Sequence, residues 1–343
     1  MQDSIRSGDL VLVTGARGFI AKHVIREALA RGYRVRGTVR RADHEAEVRA
    51  AVGEPGPRLS FVQADLLADE GWAEAVRGCR YVLHVASAFP LVAPGDPDAL
   101  VPVARDGTLR VLRAAAGAGV ERTVLTSSCA AVWAGHPPDA TRVLTEADWA
   151  IADSPRTDSY SRSKAVAERA AWDFVNGTQT TMALVSINPS FVLGPPLDRG
   201  VQSSADMVLM FLRGRYPLVP NWGIEIVDVR DVAAAHLAAL ETPAAAGRRF
   251  IVSDGALMLR DMGRILGREF PQFRRRMPKG TLPDFVTRLL GRFDPAIRQI
   301  VPDLGPPKRT SSQAAKDVLG IQCRPAEEAL IAMAQRVVEL GMV

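Results

Sequence analysis

Short apolar runs alternate with helical patterns along the first half of this 343-residue chain. Leu10–Val13 is continuously apolar, which is typical of a parallel strand buried on both faces. A helical pattern follows and ends at Gly32, and residues 33–39 then alternate apolar with polar or small side chains. Because strands and helices keep alternating, the pattern predicts a doubly wound parallel α/β sheet. Further strands are predicted at residues 59–62, 81–85, 123–126 and 182–187.

The alternation of strand and helix patterns breaks down after about residue 188, where prolines cluster and irregular stretches separate the predicted elements. Residues 224–252 again show the strand and helix pattern of the first half, with strands at 224–229 and 249–252 around an alanine-rich helix. We therefore expect these two strands to join the main sheet. A closing helix is predicted at residues 326–340. The predicted domains are a nucleotide-binding domain of residues 8–187 and 224–252, and a smaller, discontinuous substrate-binding region of residues 188–223 and 253–343.

Composition and charge narrow the class of protein. Apolar content of 47% and charged content of 24% are those of an ordinary globular protein. The 43 basic and 38 acidic residues are interspersed, so the net charge of +5 indicates no nucleic-acid surface. The three cysteines are widely spaced without metal-ligand spacing, and no apolar run reaches the roughly 18 residues of a membrane span. With no signal peptide evident, we expect a cytoplasmic protein without metal, membrane or nucleic-acid partners.

A small-residue loop follows the first strand and opens the first helix. Gly15 permits a tight turn, Gly18 lets the backbone approach a pyrophosphate, and Ala21 allows close packing of helix on sheet. The helix N-terminus favours the anion. We therefore predict a Rossmann-type dinucleotide site, although an ordinary strand–helix turn is the alternative. The predicted cofactor contacts in this loop are Thr14, Gly15, Arg17, Gly18, Phe19 and Ile20.

The end of the second strand indicates which dinucleotide binds. An NAD site normally carries a carboxylate there for the ribose 2′-hydroxyl, about 20 residues after the glycine loop. This chain has Arg40 and Arg41 instead, whose guanidinium groups match a phosphate. We predict NADP(H), with Arg40 the better candidate, against the alternative of ordinary surface arginines. Further cofactor contacts are predicted after the third and fourth strands, at Asp65, Leu66, Ala86, Ser87 and Ala88.

Tyr160 and Lys164 lie four residues apart in a segment with a helical pattern, so their side chains share one face. A tyrosine has a pKa of about 10. The neighbouring ammonium is expected to lower that pKa toward the range useful for acid–base catalysis. A solvated ion-pair face is the alternative. Ser127 and Ser128 follow the strand at 123–126, at the edge where ligands bind in such sheets, and either could bond a carbonyl or merely cap the chain.

The combined motifs resemble the extended short-chain dehydrogenase/reductase superfamily, including residues 227–233 and the order serine, tyrosine, lysine. Residues 37–40, 188–195 and 318–320 resemble one branch. That branch contains dihydroflavonol 4-reductase, cinnamoyl-CoA reductase and NADPH-dependent aldehyde and ketone reductases. The asparagine that often completes a catalytic tetrad is not evident before Gly107, where Arg105 and Asp106 stand. The Asn-Trp-Tyr-Cys-Tyr signature of cinnamoyl-CoA reductases is absent around Tyr160, which argues against that activity.

The resemblance implies a role for each matching residue. Tyr160 would be the general acid, and Lys164 would lower its pKa and hold the ribose hydroxyls. Ser128 would orient the carbonyl, with Ser127 the alternate and a neighbour of the cofactor. The nicotinamide would lie beside Pro189, Phe191 and Val192. A homodimer through the helices flanking Tyr160 is a further expectation from the family.

The side chains expected around the substrate are apolar or aromatic, with no cluster for a diphosphate among them. They predict an NADPH-dependent reductase that converts hydrophobic ketones or aldehydes to alcohols, reversibly. A 3β-hydroxysteroid dehydrogenase, a nucleotide-sugar epimerase or dehydratase, and a non-catalytic NADP-sensing protein are the alternatives. The predicted substrate residues are Phe89, Ser128, Trp133, Tyr160 and Met210, with Pro90, Phe191, Met207, Phe211 and Trp222 nearby.

Overall fold

The computed structural model describes residues 8–54, 56–87, 100–137, 141–200 and 204–343. Within these ranges the strands are β1 (Leu10–Val13), β2 (Arg34–Val39), β3 (Leu59–Gln63), β4 (Tyr81–His84), β5 (Arg122–Thr126), β6 (Val143–Leu144), β7 (Ala183–Pro189), β8 (Phe191–Leu193), β9 (Val219–Pro220), β10 (Gly223–Asp228), β11 (Arg249–Val252), β12 (Ala256–Met258), β13 (Thr281–Leu282) and β14 (Arg309–Thr310). The helices are α1 (Phe19–Ala30), α2 (His44–Val52), α3 (Trp72–Val76), α4 (Val101–Gly117), α5 (Ala130–Trp133), α6 (Ser159–Gly177), α7 (Ser204–Leu212), α8 (Val229–Glu241), α9 (Leu259–Glu269), α10 (Asp284–Leu290), α11 (Pro295–Ile300), α12 (Gln313–Leu319) and α13 (Ala326–Glu339).

A seven-stranded sheet forms the centre of the molecule, in the order β11-β7-β5-β4-β1-β2-β3. Every pairing within it is parallel. The strand order reverses between β1 and β4, which is the switch point where ligands bind in such sheets. The predicted doubly wound parallel sheet is therefore confirmed.

Both faces of this sheet are buried, which explains the continuous apolar runs in the sequence. Successive side chains of a strand point to opposite faces. Val11 and Val13 accordingly pack into a core with α1 and α8, whereas Leu12 packs into a second core with α4 and α6. The strand ends that carry the candidate site are thus held between two helical layers.

The prediction that residues 224–252 return to the main sheet is correct for one strand and wrong for the other. β11 joins the sheet edge next to β7. β10 instead pairs in parallel with β8 and antiparallel with β12, forming a separate three-stranded sheet. Its Ile224 and Ile226 pack into another core with α7, α9 and α13, and this packing holds β10 outside the main sheet.

The C-terminal helix predicted at residues 326–340 is confirmed as α13. Its buried face, including Leu330, Met333 and Val337, packs against α7, α9 and β10. This packing gives the smaller part of the molecule a core of its own. In the described part of the chain, no helix has the length and apolar character that crossing a membrane requires.

Candidate active site

The loop after β1 has the shape that a dinucleotide requires. Gly15 has φ +66°, and a Cβ there would come within 3.0 Å of the Ala86 Cβ. Its N–H donates to Thr38 Oγ1 at 2.8 Å. Thr14 Oγ1 accepts from the Ala86 N–H at 2.9 Å and shares a 2.8 Å hydrogen bond with His84 Nδ1. The small residues Gly15 and Ala86, just after β1 and β4, therefore leave the crevice at the switch point clear.

The N-terminus of α1 presents an anion site. Gly18 is exposed at the N-cap position, and a Cβ there would lie 3.2 Å from the Gly15 carbonyl oxygen. The first turn of α1 carries no acidic residue, and Phe19 and Ile20 are only partly buried. Free N–H groups and a positive helix dipole at such an end favour phosphate. The residues present therefore fit a bound dinucleotide.

The arginines after β2 differ in what they contact. Arg41 is bound by the neighbouring Asp43, with Nε donating to Oδ1 at 3.0 Å. Arg40 is exposed and has no hydrogen bond or ion pair with any described residue. Arg17 pairs with Glu47 at 2.9 Å. Arg40 is thus the guanidinium in this group that is left available for a phosphate.

The other predicted cofactor contacts surround the same crevice. Asp65 lies in a tight turn after β3, where its Oδ1 accepts from the Leu67 N–H at 3.0 Å. Leu66, Ala86 and Ser87 line a cavity together with Lys164. Ala88, Phe89 and Pro90, which the sequence assigned to the cofactor or substrate, lie outside the described residues.

The predicted catalytic residues come together at the end of β5. Asp158 caps α6 by accepting from the N–H groups of Tyr160 and Ser161 at 2.9 and 3.0 Å, which places Tyr160 in the first turn. The Ser128 hydroxyl is near enough to the Tyr160 phenol to lower the pKa of the phenol. Lys164 Nζ lies 5.9 Å from the centre of the tyrosine ring. Serine, tyrosine and lysine therefore form one constellation beside the nucleotide crevice.

The two serines have different surroundings. Ser127 is buried, and its hydroxyl donates to Glu168 Oε2 at 2.5 Å. Ser128 is partly exposed, and its hydroxyl is near enough to Tyr160 to affect the pKa of the phenol. This geometry favours Ser128 over Ser127 as the group that would contact a carbonyl.

The expected effect of Lys164 on the tyrosine is not seen. Burial raises the pKa of Tyr160 above its usual value, the Ser128 hydrogen bond opposes this, and Lys164 is not among the causes. Burial also lowers the pKa of Lys164 to about 8, with the Glu168 charge opposing the change. The reason is that removal from water disfavours the charged form of both groups.

Sequence reasoning missed a buried polar group behind these residues, centred on Glu168 in α6. Glu168 is 1% exposed and bonds Asn188 of β7 and Arg249 of β11. Its position four residues after Lys164, on the same helix face, was the available signal.

Arg105 and Asp106 stand where the asparagine of the catalytic tetrad was sought, and neither takes its place. These two side chains are exposed and bonded to each other at 2.7 Å. Thr108, one turn along α4, lines a cavity of about 20 Å³ together with Lys164. That volume is about what one water molecule needs.

The consecutive strands β7 and β8 carry the predicted nicotinamide contacts. Pro189 is buried, and its carbonyl accepts from the Cys129 N–H at 2.9 Å, which ties β7 to the segment after Ser128. Phe191 and Val192 are partly buried on β8. Their contact with the cofactor stays a prediction.

The predicted substrate residues are only partly brought together. Trp133 lies on α5, directly after the serines, and Lys308 Nζ stands 4.4 Å over its ring. Met210 is 37% exposed on α7, and its sulfur accepts from the Tyr216 hydroxyl at 2.7 Å. Phe211 is 1% exposed inside the core of the smaller part, so its assignment to the substrate side is wrong.

The fold and the candidate site are those of a dinucleotide-dependent oxidoreductase, in which Ser128, Tyr160 and Lys164 lie beside the crevice. Residues 11–253 match the model of the NAD dependent epimerase/dehydratase family. The chain belongs to this family, which confirms the predicted extended short-chain dehydrogenase/reductase assignment.

The relatives place the chain in the predicted reductase branch. It is 36% identical to cinnamoyl-CoA reductase 1 of Petunia hybrida over 342 residues, covering 98% of this chain and 94% of that protein. The structure of the yeast methylglyoxal/isovaleraldehyde reductase Gre2 with NADPH matches with TM-score 0.80 and 26% identity, over 97% of this chain and 99% of that one. Gre2 of Candida albicans with NADPH matches with TM-score 0.80 and 28% identity, over the same shares.

Proposed function

We propose that this protein is an NADPH-dependent reductase that converts hydrophobic ketones and aldehydes to alcohols, reversibly. The observation that carries the proposal is the grouping of Ser128, Tyr160 and Lys164 at the edge of the nucleotide crevice, where Lys164 Nζ lies 5.9 Å from the centre of the tyrosine ring and the Ser128 hydroxyl lowers the pKa of the phenol. The class of NADP-dependent oxidoreductase, predicted from the sequence, is supported by the family match and by the reductase relatives.

The cofactor of the enzyme is NADP(H). Gly15 and Gly18 would hold the pyrophosphate at the start of α1, and Arg40 would bind the 2′-phosphate. The Gre2 structures that contain NADPH have the same fold and support this choice over NAD. When bound, the reduced nicotinamide supplies the hydride to the carbonyl carbon.

Tyr160 is the proton donor in this proposal. Its raised pKa keeps the phenol protonated at neutral pH, so the O–H group is available to a carbonyl oxygen that gains charge during reduction. Ser128 donates to the same oxygen and holds it against the tyrosine. Lys164, as an ammonium, would hold the ribose hydroxyls of the cofactor beside the tyrosine.

The substrate is an apolar carbonyl compound in this proposal. Trp133 is the aromatic side chain nearest the serines in sequence, and it is partly buried. The cinnamoyl-CoA reductase relatives indicate thioesters as an alternative substrate, but the sequence around Tyr160 lacks the signature of those enzymes. The homodimer and the cytoplasmic location stay predictions from the sequence, and light scattering of the purified protein tests the former.

The test is a panel of carbonyl compounds assayed by the loss of NADPH absorbance. It contains aliphatic and aryl aldehydes, aliphatic and aryl ketones, and cinnamoyl-CoA. We expect turnover with aldehydes or ketones and at least tenfold lower kcat/KM with the thioester. NADPH consumption at background with every compound contradicts the proposal, and faster turnover of the thioester contradicts the substrate class.

A further inference from the structure

A single buried carboxylate joins the elements that carry the catalytic residues. Glu168 of α6 accepts from Ser127 Oγ at 2.5 Å, Asn188 Nδ2 at 2.8 Å and Ser186 Oγ at 2.7 Å. Ser127 directly follows β5, and Ser186 and Asn188 lie on β7; these strands lead to Ser128 and to the predicted nicotinamide contacts. The carboxylate thus connects α6 to both strand ends.

Asn188 extends this connection to the backbone of Ser128. Its Nδ2 also donates to the Ser128 carbonyl oxygen at 3.1 Å, while its Oδ1 lies 2.7 Å from Ser186 Oγ. The hydroxyl of Ser128 is therefore held on a backbone whose carbonyl is fixed through Asn188 to Glu168.

Arg249 keeps the carboxylate charged and in place. Its Nε donates to Glu168 Oε1 at 2.7 Å, and its Nη1 donates to the carbonyls of Glu146 and Asp148 at 2.9 and 2.7 Å. The guanidinium also stacks 3.7 Å above the ring centre of Trp149. Arg249 and the donated hydrogen bonds lower the pKa of Glu168 against the effect of burial. A buried ion pair of this kind rarely stabilises a fold more than apolar side chains would.

Lys164 lies between Glu168 and Tyr160 on the same helix. Of the charged groups in the described part of the chain, Glu168 is the one that favours its ammonium form. His84 of β4 faces Lys164 but is buried and neutral, with its pKa lowered to about 3. Thr108 of α4, across the small cavity, does not titrate.

We propose that Glu168 is a positioning residue, which fixes Ser128 through the strand ends and keeps Lys164 in its ammonium form at neutral pH. The kinetic part of this inference rests on the proposed function. The effect on Lys164 is a property of the protein alone and can be measured without a substrate.

The test is an NMR titration of the protein labelled with ¹³C at lysine Cε. The chain contains Lys22, Lys164, Lys279, Lys308 and Lys316, so the spectrum is simple and each signal can be assigned by substitution. We expect the titration midpoint of Lys164 to fall by about one pH unit in Glu168→Gln, since a lost neighbouring charge has effects of this size. An unchanged midpoint overturns the proposal.

Ser186→Ala is the matched control, because it removes one hydrogen bond to the carboxylate and leaves its charge. We expect this variant to melt at a lower temperature with the Lys164 midpoint unchanged. If the Lys164 midpoint falls as far in Ser186→Ala as in Glu168→Gln, the effect is due to packing, and the proposal is contradicted. Glu168→Asp, which keeps the charge, should restore the midpoint.

Glu168→Gln leaves Arg249 buried without its partner, and that variant risks misfolding. The double variant Glu168→Leu, Arg249→Met removes both charges together and is the second test. The Lys164 midpoint should fall in it as well, and a midpoint that stays near the wild-type value overturns the proposal.

The kinetic readout separates this inference from the proposed function. In wild type, kcat for carbonyl reduction should fall as the pH rises through about 8, where Lys164 loses its proton. In Glu168→Gln the fall in kcat should occur at lower pH, shifted by the same amount as the NMR midpoint of Lys164. A wild type that reduces no carbonyl compound refutes the proposed function, whereas the NMR titration still decides the role of Glu168.

Discussion

Replacing Arg40 with alanine should abolish the preference for NADPH over NADH. Arg40 is exposed and has no partner among the described residues, so its guanidinium can bind a phosphate without first giving up another contact. A hydrogen bond to a charged group is worth about 1.5–3 kcal/mol. At about 1.4 kcal/mol for each tenfold change, the Kd for NADPH should rise roughly 10- to 100-fold.

Arg41→Ala is the matched control for this experiment. Arg41 differs from Arg40 by one position and has the same charge, but Asp43 already binds its guanidinium. We expect this variant to change the NADPH Kd by less than about threefold, because exposed ion pairs contribute little. The Kd for NADH should stay within about twofold of wild type in both variants, since the 2′-hydroxyl offers no charge.

The assay is the quenching of tryptophan fluorescence by each dinucleotide, at low salt and again at high salt. The difference between wild type and Arg40→Ala should shrink at high salt, because exposed charges are screened. An Arg40→Ala variant that keeps its preference for NADPH refutes the assignment. If Arg41→Ala instead loses the preference for NADPH, the 2′-phosphate is assigned to Arg41.

Three further outcomes follow from the geometry of the site. Ser128→Ala should lower kcat by about tenfold or more with little change in melting temperature, whereas Ser127→Ala should lower the melting temperature because it breaks a hydrogen bond to a buried charge. Equal effects of the two substitutions in both assays would contradict the separation of their roles. Gly15→Ala should weaken NADPH binding by at least about tenfold, since φ +66° and the nearby Ala86 leave no room for a Cβ, and unchanged fluorescence quenching would contradict the loop assignment. Lys164 keeps its ammonium form below about pH 8, so kcat should be constant from about pH 6.5 to 7.5 and should fall above that range. A kcat that rises with pH above that range would refute the role of the Lys164 ammonium.

The main sheet and the nucleotide loop could be predicted from the sequence because local patterns encode them. A strand buried on both faces shows itself as a continuous apolar run, and Leu10–Val13 followed by Gly15 and Gly18 is such a case. The same reasoning placed β10 in the wrong sheet. Ile224 and Ile226 would be apolar in either sheet, and only the core formed with α7, α9 and α13 decides between the two.

The catalytic constellation was predictable as a set of residues but not as a set of ionisation states. Tyr160 and Lys164 share a helix face by spacing alone, which sequence shows directly. How deeply each side chain is buried depends on tertiary packing, and burial reverses the expected direction for the tyrosine pKa. Glu168 was missed because its partners come from β5, β7 and β11, which are distant in sequence.

The most direct test of the account is hydride transfer in a single turnover with Tyr160→Phe. This variant keeps the ring, so NADPH should bind with a Kd close to that of wild type. With a carbonyl compound accepted by wild type, the stopped-flow rate of NADPH oxidation should fall by about 100-fold or more, since loss of a general acid has effects of that size. A Tyr160→Phe variant that oxidises bound NADPH at the wild-type rate would contradict the assignment of Tyr160 as the acid.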